Sequence, residues 1–271
     1  MQFFLRKAFV FIGLSCAQAV AFAQVPNTVQ LEDLTWTEVR AELAAGKTTI
    51  IVPIGGTEQS GPYVALGKHN ARVQILAARI ARGLGNALVA PVVAYVPEGG
   101  YSPQSAHMRF PGTITVSDDV FEKMLESAAN SFEVHGFRNV VFLGDHGGYQ
   151  DDIKHVVARL NKAWADGKAR AFVPPEYYGE SSTGYARMLR EKGYRDDEIG
   201  THAGLADTSL LLAVAPRMVR LDALRTAPKP TAADGVYGGD PRRSSAELGQ
   251  MGVEAIVAHT VEAIRKDTAG R

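Results

Sequence analysis

The sequence predicts an α/β fold built on a largely parallel sheet. Strand-like and helix-like segments alternate along the chain, the first strand-like run is continuously apolar and β-branched, and two strands run straight into polar, glycine-rich loops. Residues 36–45 read as a first helix capped by Thr35, and residues 48–54 as a buried strand that turns at Gly55-Gly56. Helical periodicity follows over 70–84 (Val73, Leu76, Ala77, Ile80) and stops at Gly83 and Gly85, with a second strand over 87–93. A loop rich in Gly, Pro and Ser spans 97–112. Beyond it the pattern predicts helices at 118–135, 149–165, 206–213 and 245–266, and strands at 139–143 and 171–173. Ligands of open α/β sheets bind beyond the carboxyl ends of strands. The loops after Ile54 and Leu143 are therefore where chemistry is expected.

Composition narrows the class. The chain has 271 residues, 46% apolar and 21% charged, enough to bury a core without disulfides or structural metals. Arg6 and Lys7, an apolar run from Ala8 to about Ala23 and the small-x-small end Ala21-Phe22-Ala23 read as a secretory signal peptide, residues 1–23. An uncleaved anchor is one alternative, for which the run is short. A lipoprotein site at Cys16 is another, with Gly13 standing where an aliphatic residue is expected. Cleavage leaves a single domain, residues 24–271, in the periplasm or outside the cell. Losing Arg6 and Lys7 takes the formal charge from +0 to −2, and losing Cys16 removes thiol catalysis and thiolate ligands. No basic patch points to nucleic acid, and no later segment is apolar enough to cross a membrane.

Four constellations hold candidate chemistry. Glu58 follows the first strand, with His69 eleven residues on and Pro62 and Gly67 between, so a carboxylate and an imidazole can converge on a divalent ion; a solvated loop is the plain alternative. Asp145-His146 precede Gly147-Gly148, which fits a metal-ligand loop or a helix-capping histidine. No phosphate-binding fingerprint is present. His202 lies one helical turn from Asp207 and suits acid/base work or ligation. His107 stands in the long loop, where a structural role competes with a functional one. His135, His155 and His259 read as ordinary helix histidines.

Taken in order, five blocks resemble the creatininase (creatinine amidohydrolase) family. These are Gly56-Thr57-Glu58-Gln59-Ser60-Gly61-Pro62 with Gly67-Lys68-His69, then Phe110-Pro111-Gly112-Thr113, then Gly144-Asp145-His146-Gly147-Gly148-Tyr149, then His202-Ala203-Gly204-Leu205-Ala206-Asp207-Thr208-Ser209, and last the Gly235 to Pro241 turn. They cover about residues 35–262. The resemblance implies a three-layer αβα sandwich and hydrolysis of a non-peptide C–N bond, often in a cyclic amide. It also implies a homo-oligomer, often a hexamer, and a pair of divalent ions joined by a carboxylate.

The departures from the family pattern alter that expectation. Ser60 replaces a His ligand, His69 the bridging Asp, and Gly148 stands where creatininase carries a Glu ligand. A neutral imidazole has one lone pair and cannot bridge two cations. One ion is therefore expected, zinc by default with manganese or iron as alternatives, held by Glu58, His69 and His146. Activated water would attack the substrate. His202 would carry a proton to the leaving nitrogen, and Asp207 would orient His202 or complete the metal shell. His107, Tyr177 and Tyr178 are expected at the substrate. Lys68 and Asp145 have no match in the family pattern; they fit a changed substrate, an acidic one in the case of Lys68. A lactonase or esterase, and a non-catalytic binding protein on the same scaffold, are the competing readings.

Overall fold

The computed structural model describes residues 26–269, so the expected signal segment lies outside the described residues. The elements in chain order are α1 Trp36–Ala44, β1 Thr49–Ile54, α2 Lys68–Leu84, β2 Ala87–Val89, α3 Asp118–Val134, β3 Asn139–Gly144, α4 Gln150–Ala163 and β4 Arg170–Phe172. There follow α5 Pro175–Gly179, α6 Tyr185–Glu191, α7 Asp196–Ile199, β5 Gly200–His202, α8 Leu205–Val214, α9 Leu221–Thr226, β6 Tyr237–Gly239 and α10 Ala246–Thr268. Short 3-10 turns join several of them.

Four strands pair in parallel in the order β2-β1-β3-β4. All six residues of β1 are buried, because both faces of the sheet are covered. Period-two alternation sorts its side chains. Ile50, Val52, Ile54, Val140 and Phe142 pack with Phe121 and Leu125 of α3 and with Ile153 and Val156 of α4. Ile51, Val141 and Leu143 face the other way, onto Val73, Leu76 and Ile80 of α2, Leu205 of α8 and Val253 of α10. The result is the expected three-layer sandwich. Its stability rests on burying these two apolar clusters, at roughly 1.5–3 kcal/mol for each large aliphatic side chain.

The topology also places the site. From β1 the chain crosses to β2 on one side, then returns to β3 on the other, so the carboxyl ends of β1 and β3 flank a topological switch point. Register sets Ile54 opposite Gly144, and the two polar loops leave the sheet side by side.

Three features differ from the sequence-based expectation. Helix α2 starts at Lys68, two residues early, with Gly67 as an N-cap that offers no side-chain hydrogen bond. Strand β2 ends at Val89; Pro91 lacks the N–H that a continuing ladder needs, although Val93 still bridges to Ile54. Residues 175–191 are helical throughout, with one π-helical turn over Glu180–Gly184 between α5 and α6. Pro175 sits in the first turn, where a missing N–H costs nothing, and so opens this helix instead of breaking it.

Candidate active site

Tyr149 ties the two loops together. Its fully buried hydroxyl lies 2.9 Å from the Ile54 carbonyl and 2.6 Å from that of Gly55, and accepts the backbone N–H groups of Asp145 and His146. Glu58 and His146 are thereby held on facing loops over the switch point.

Glu58 is the centre of the site and is fully buried. Its two oxygens face different company. Oε1 meets His69 Nε2 at 2.6 Å, Lys68 Nζ at 3.3 Å and His202 Nδ1 at 3.7 Å. Oε2 meets His107 Nε2 at 3.2 Å and His146 Nε2 at 3.4 Å, and has no hydrogen bond. Burial alone would raise this carboxyl; Lys68 and His69 outweigh it and hold Glu58 ionised, well below the usual carboxylate range. Beside it lies Glu98, 2% exposed, with neither carboxylate oxygen hydrogen-bonded and Oε2 3.8 Å from His146 Nε2. Burial, and then Glu58, push its carboxyl up to about 9.

Ligand atoms of Glu58, Glu98, His107 and His146 all lie within 4.8 Å of one another. Three buried oxygens of Glu58 and Glu98 without a hydrogen-bond partner face two ring nitrogens, an arrangement that a bound cation would satisfy. This donor set, oxygen and imidazole nitrogen, suits zinc or a similar divalent ion. Burial depresses His107 and brings His146 down to about 4, so both rings are neutral at pH 7, as ligands must be. The Gln59 amide faces His107 Nδ1 at 3.0 Å, and the Gly148 N–H donates to His146 Nδ1 at 3.0 Å. Each ring is thus held at Nδ1 and turns its Nε2 towards Glu58 Oε2.

Glycine makes room for Glu98. A Cβ on Gly56, whose φ is +146°, would lie 2.6 Å from Glu98 Oε1. Gly56→Ala is expected to displace Glu98, weaken ion binding and cost about 1–3 kcal/mol. Thermal melts with and without added metal check this, and an unchanged metal-dependent shift refutes it. A Cβ on Gly148 would lie 2.9 Å from His146 Cε1 and 3.9 Å from the Pro97 carbonyl, so the glycine leaves room for the His146 ring.

His202 comes from a two-stranded antiparallel ribbon, paired with Tyr237 across β5 and β6. Its Nε2 lies 3.0 Å from the Gln59 backbone carbonyl and 3.1 Å from the Gln59 side-chain amide nitrogen, and its Nδ1 is on the Glu58 side. Burial, and then Lys68, bring this ring down to about 3. The residues before His107 and after His202, Ala106 and Ala203, both have positive φ, at 46° and 53°. Such strain at non-glycine positions concentrates where side-chain placement is over-determined.

Several expected roles change. His69 stands outside the four-residue cluster and is held between two carboxylates, Glu58 at Nε2 and Asp145 Oδ2 at 2.7 Å from Nδ1. Asp207 does not touch the His202 ring or the ion cluster. It binds Lys68 Nζ at 2.5 Å, Arg72 Nη1 at 2.6 Å and the Ala203 N–H at 3.1 Å, bracing the strained residue next to His202. Lys68 is 1% exposed and already paired, so it is not an open anchor for an acidic substrate. Asp145 is equally buried, held by Arg72 and by the Tyr177 hydroxyl at 2.8 Å. Tyr177 therefore lies beneath the site. Tyr178 lines the cavity, as do His107 and His202.

That cavity, about 650 Å³, opens above these groups and extends to Ser181, Ser182 and Thr201 on its outer wall. Its size suits a small molecule. Glu98, Gln59 and Arg72 escaped the sequence reading. Glu98 sits in the Gly-Pro loop with no periodic or motif signal, and only its unpartnered burial reveals it.

An αβα sandwich with an acid–imidazole cluster at its switch point that could hold a metal ion fits the class of α/β metal-dependent hydrolases. Residues 32–264 match the creatininase family model, described as creatinine amidohydrolase, and the chain belongs to that hydrolase family. It is 26% identical to a creatinine amidohydrolase of Pseudomonas putida, over 89% of this chain and 98% of that one. It is 28% identical to a mycofactocin precursor peptide peptidase of Mycolicibacterium smegmatis, over 65% of this chain and 61% of that one. A 3-dehydro-scyllo-inosose hydrolase of Thermotoga maritima matches at 31% identity over 45% of this chain and 37% of its own. A crystal structure of a creatininase superposes with a TM-score of 0.76, at 22% identity, over 91% of this chain and 100% of that one. Other solved creatininases of the same fold are described as zinc–zinc and manganese forms.

Proposed function

We propose that this protein hydrolyses a non-peptide C–N bond in a cyclic amide or related small molecule, using one divalent ion held by Glu58, Glu98, His107 and His146. Zinc is the first expectation, with manganese or iron as alternatives. The observation that carries this reading is the set of orphaned oxygens on Glu58 and Glu98 converging with two imidazoles at a cavity. A relative matched over nearly its whole length is a creatinine amidohydrolase, which supports C–N over C–O cleavage. A divalent ion in such a site supplies Lewis acidity and lowers the pKa of water towards about 7.

This chain's own residues do the rest. Glu58, held ionised, fixes the rings of His69, His107 and His146 around it. His202, held at Nε2 by Gln59, turns Nδ1 towards Glu58 and carries the proton of the attacking water to the leaving nitrogen. Tyr178 and the hydroxyls beyond it border the substrate.

Chelated, ion-free protein is expected to be inactive against a panel of cyclic amides and ureides, with activity returning on zinc or manganese addition. Full turnover by ion-free protein overturns the mechanism, and turnover confined to a parallel lactone panel overturns the substrate class. Ion uptake also has a proton signature. Glu98 holds its proton at neutral pH and must lose it to ligate, so affinity rises with pH up to about 9. Calorimetry in two buffers of different ionisation enthalpy reads the released proton; uptake without release contradicts ligation by Glu98.

Export of the mature chain and assembly into a homo-oligomer belong to the same proposal. N-terminal sequencing of periplasmic protein and light scattering test them.

A further inference from the structure

We infer that Lys68, braced by Arg72, stands in for a second metal ion, so that the site pairs one divalent cation with one fixed organic cation. This rests on the ion site described above. Glu58 is the hinge of the argument. Its Oε2 is open to the ion cluster, whereas its Oε1, which a second ion would need, is taken by His69 Nε2 and Lys68 Nζ. The other carboxylates on that side are also consumed. Asp207 is bound by Lys68, Arg72 and the Ala203 N–H, and Asp145 by Arg72, His69 and Tyr177. Ser60, in place of a His, offers only a buried hydroxyl without a partner. No set of free donors remains there for a second ion.

The placement of the cations is otherwise unfavourable. Lys68 and Arg72, 1% and 3% exposed, sit at the N-terminal end of α2, which has no acidic residue in its first turn. The helix dipole and burial both oppose positive charge there. Only the three carboxylates explain it: Glu58 and Asp207 on Lys68, Asp207 and Asp145 on Arg72. Lys68 borders the same cavity as the ion cluster, so its charge reaches the space where a substrate oxyanion develops. Unlike an ion, that charge cannot be lost to a chelator.

The test uses the full mature chain, saturated with zinc and desalted, with metal counted by elemental mass spectrometry. Wild type is expected to hold one equivalent. Two equivalents overturn the inference; none overturns the ion-site reading itself, and this inference with it. Lys68→Ala frees Glu58 Oε1 and Asp207, and is expected to gain a second equivalent, whereas Lys68→Arg keeps the charge and stays at one. Lys68→Arg gaining a second ion, or Lys68→Ala staying at one with wild-type kcat, overturns it. Zinc-loaded at one equivalent, Lys68→Ala should lose about 10²-fold in kcat with little change in KM. If Lys68→Ala does not fold, wild type and Lys68→Arg decide the matter.

Discussion

Glu58→Gln should leave the protein without its ion and lower kcat/KM by on the order of 10³-fold. The reason is that both carboxylate oxygens are needed as acceptors. His69 Nε2 and Lys68 Nζ donate to Oε1, and Oε2 faces His107 and His146. An amide must turn its NH₂ one way or the other. Turned towards Lys68 and His69 it opposes two donors; turned towards the histidines it presents hydrogens to a cation. The first arrangement also strips Lys68 of one of two partners, and leaving a buried charge short of a partner costs up to about 3–5 kcal/mol. Metal content and denaturant midpoint, measured on the same preparation, separate the two effects. A variant that retains a full equivalent of metal and the wild-type rate would remove Glu58 from the centre of the mechanism.

His202→Ala should behave in the opposite way, keeping the ion while losing about 10²–10⁴-fold in kcat. His202 lies outside the four-residue cluster and is linked to His107 through the Gln59 side chain. What disappears is the ring that carries the proton, together with its Nε2 contacts to Gln59. Substrate binding should change little, because the proton transfer matters only as the bond breaks. The wild-type ring is brought down to about 3 and so stays neutral across the assay range. Its own titration should therefore leave no inflection between pH 5 and pH 8, the usual histidine window. Metal loss on substitution, or an unchanged kcat, would show that His202 is not the proton carrier.

Sequence signals are strongest where chemistry is local. Buried strands at Thr49–Ile54 and Asn139–Gly144, and the polar loops that follow them, were legible because continuous β-branched runs and glycine turns are short-range signals. Glu58 and His146 could be singled out for the same reason, as polar residues just beyond a strand end. His69 was legible as a neighbour of Glu58, but its second partner was not: Asp145, seventy-six positions away, takes its other nitrogen. Lys68 likewise reads in sequence as a contact for an acidic substrate, and becomes an internal counter-ion only when Asp207 arrives from α8.

By itself, the sequence determined an α/β fold with a largely parallel sheet and the two loops that carry the chemistry, because hydrophobic period and turn residues act within a few positions; the three layers and the departures from the ligand pattern follow from its resemblance to the family. Only the tertiary structure decided which groups hold a cation and which neutralise one another. Ligation and ion pairing depend on separations of a few ångströms between atoms from distant segments. Glu98 and Arg72, silent in the sequence, take their roles from that proximity alone.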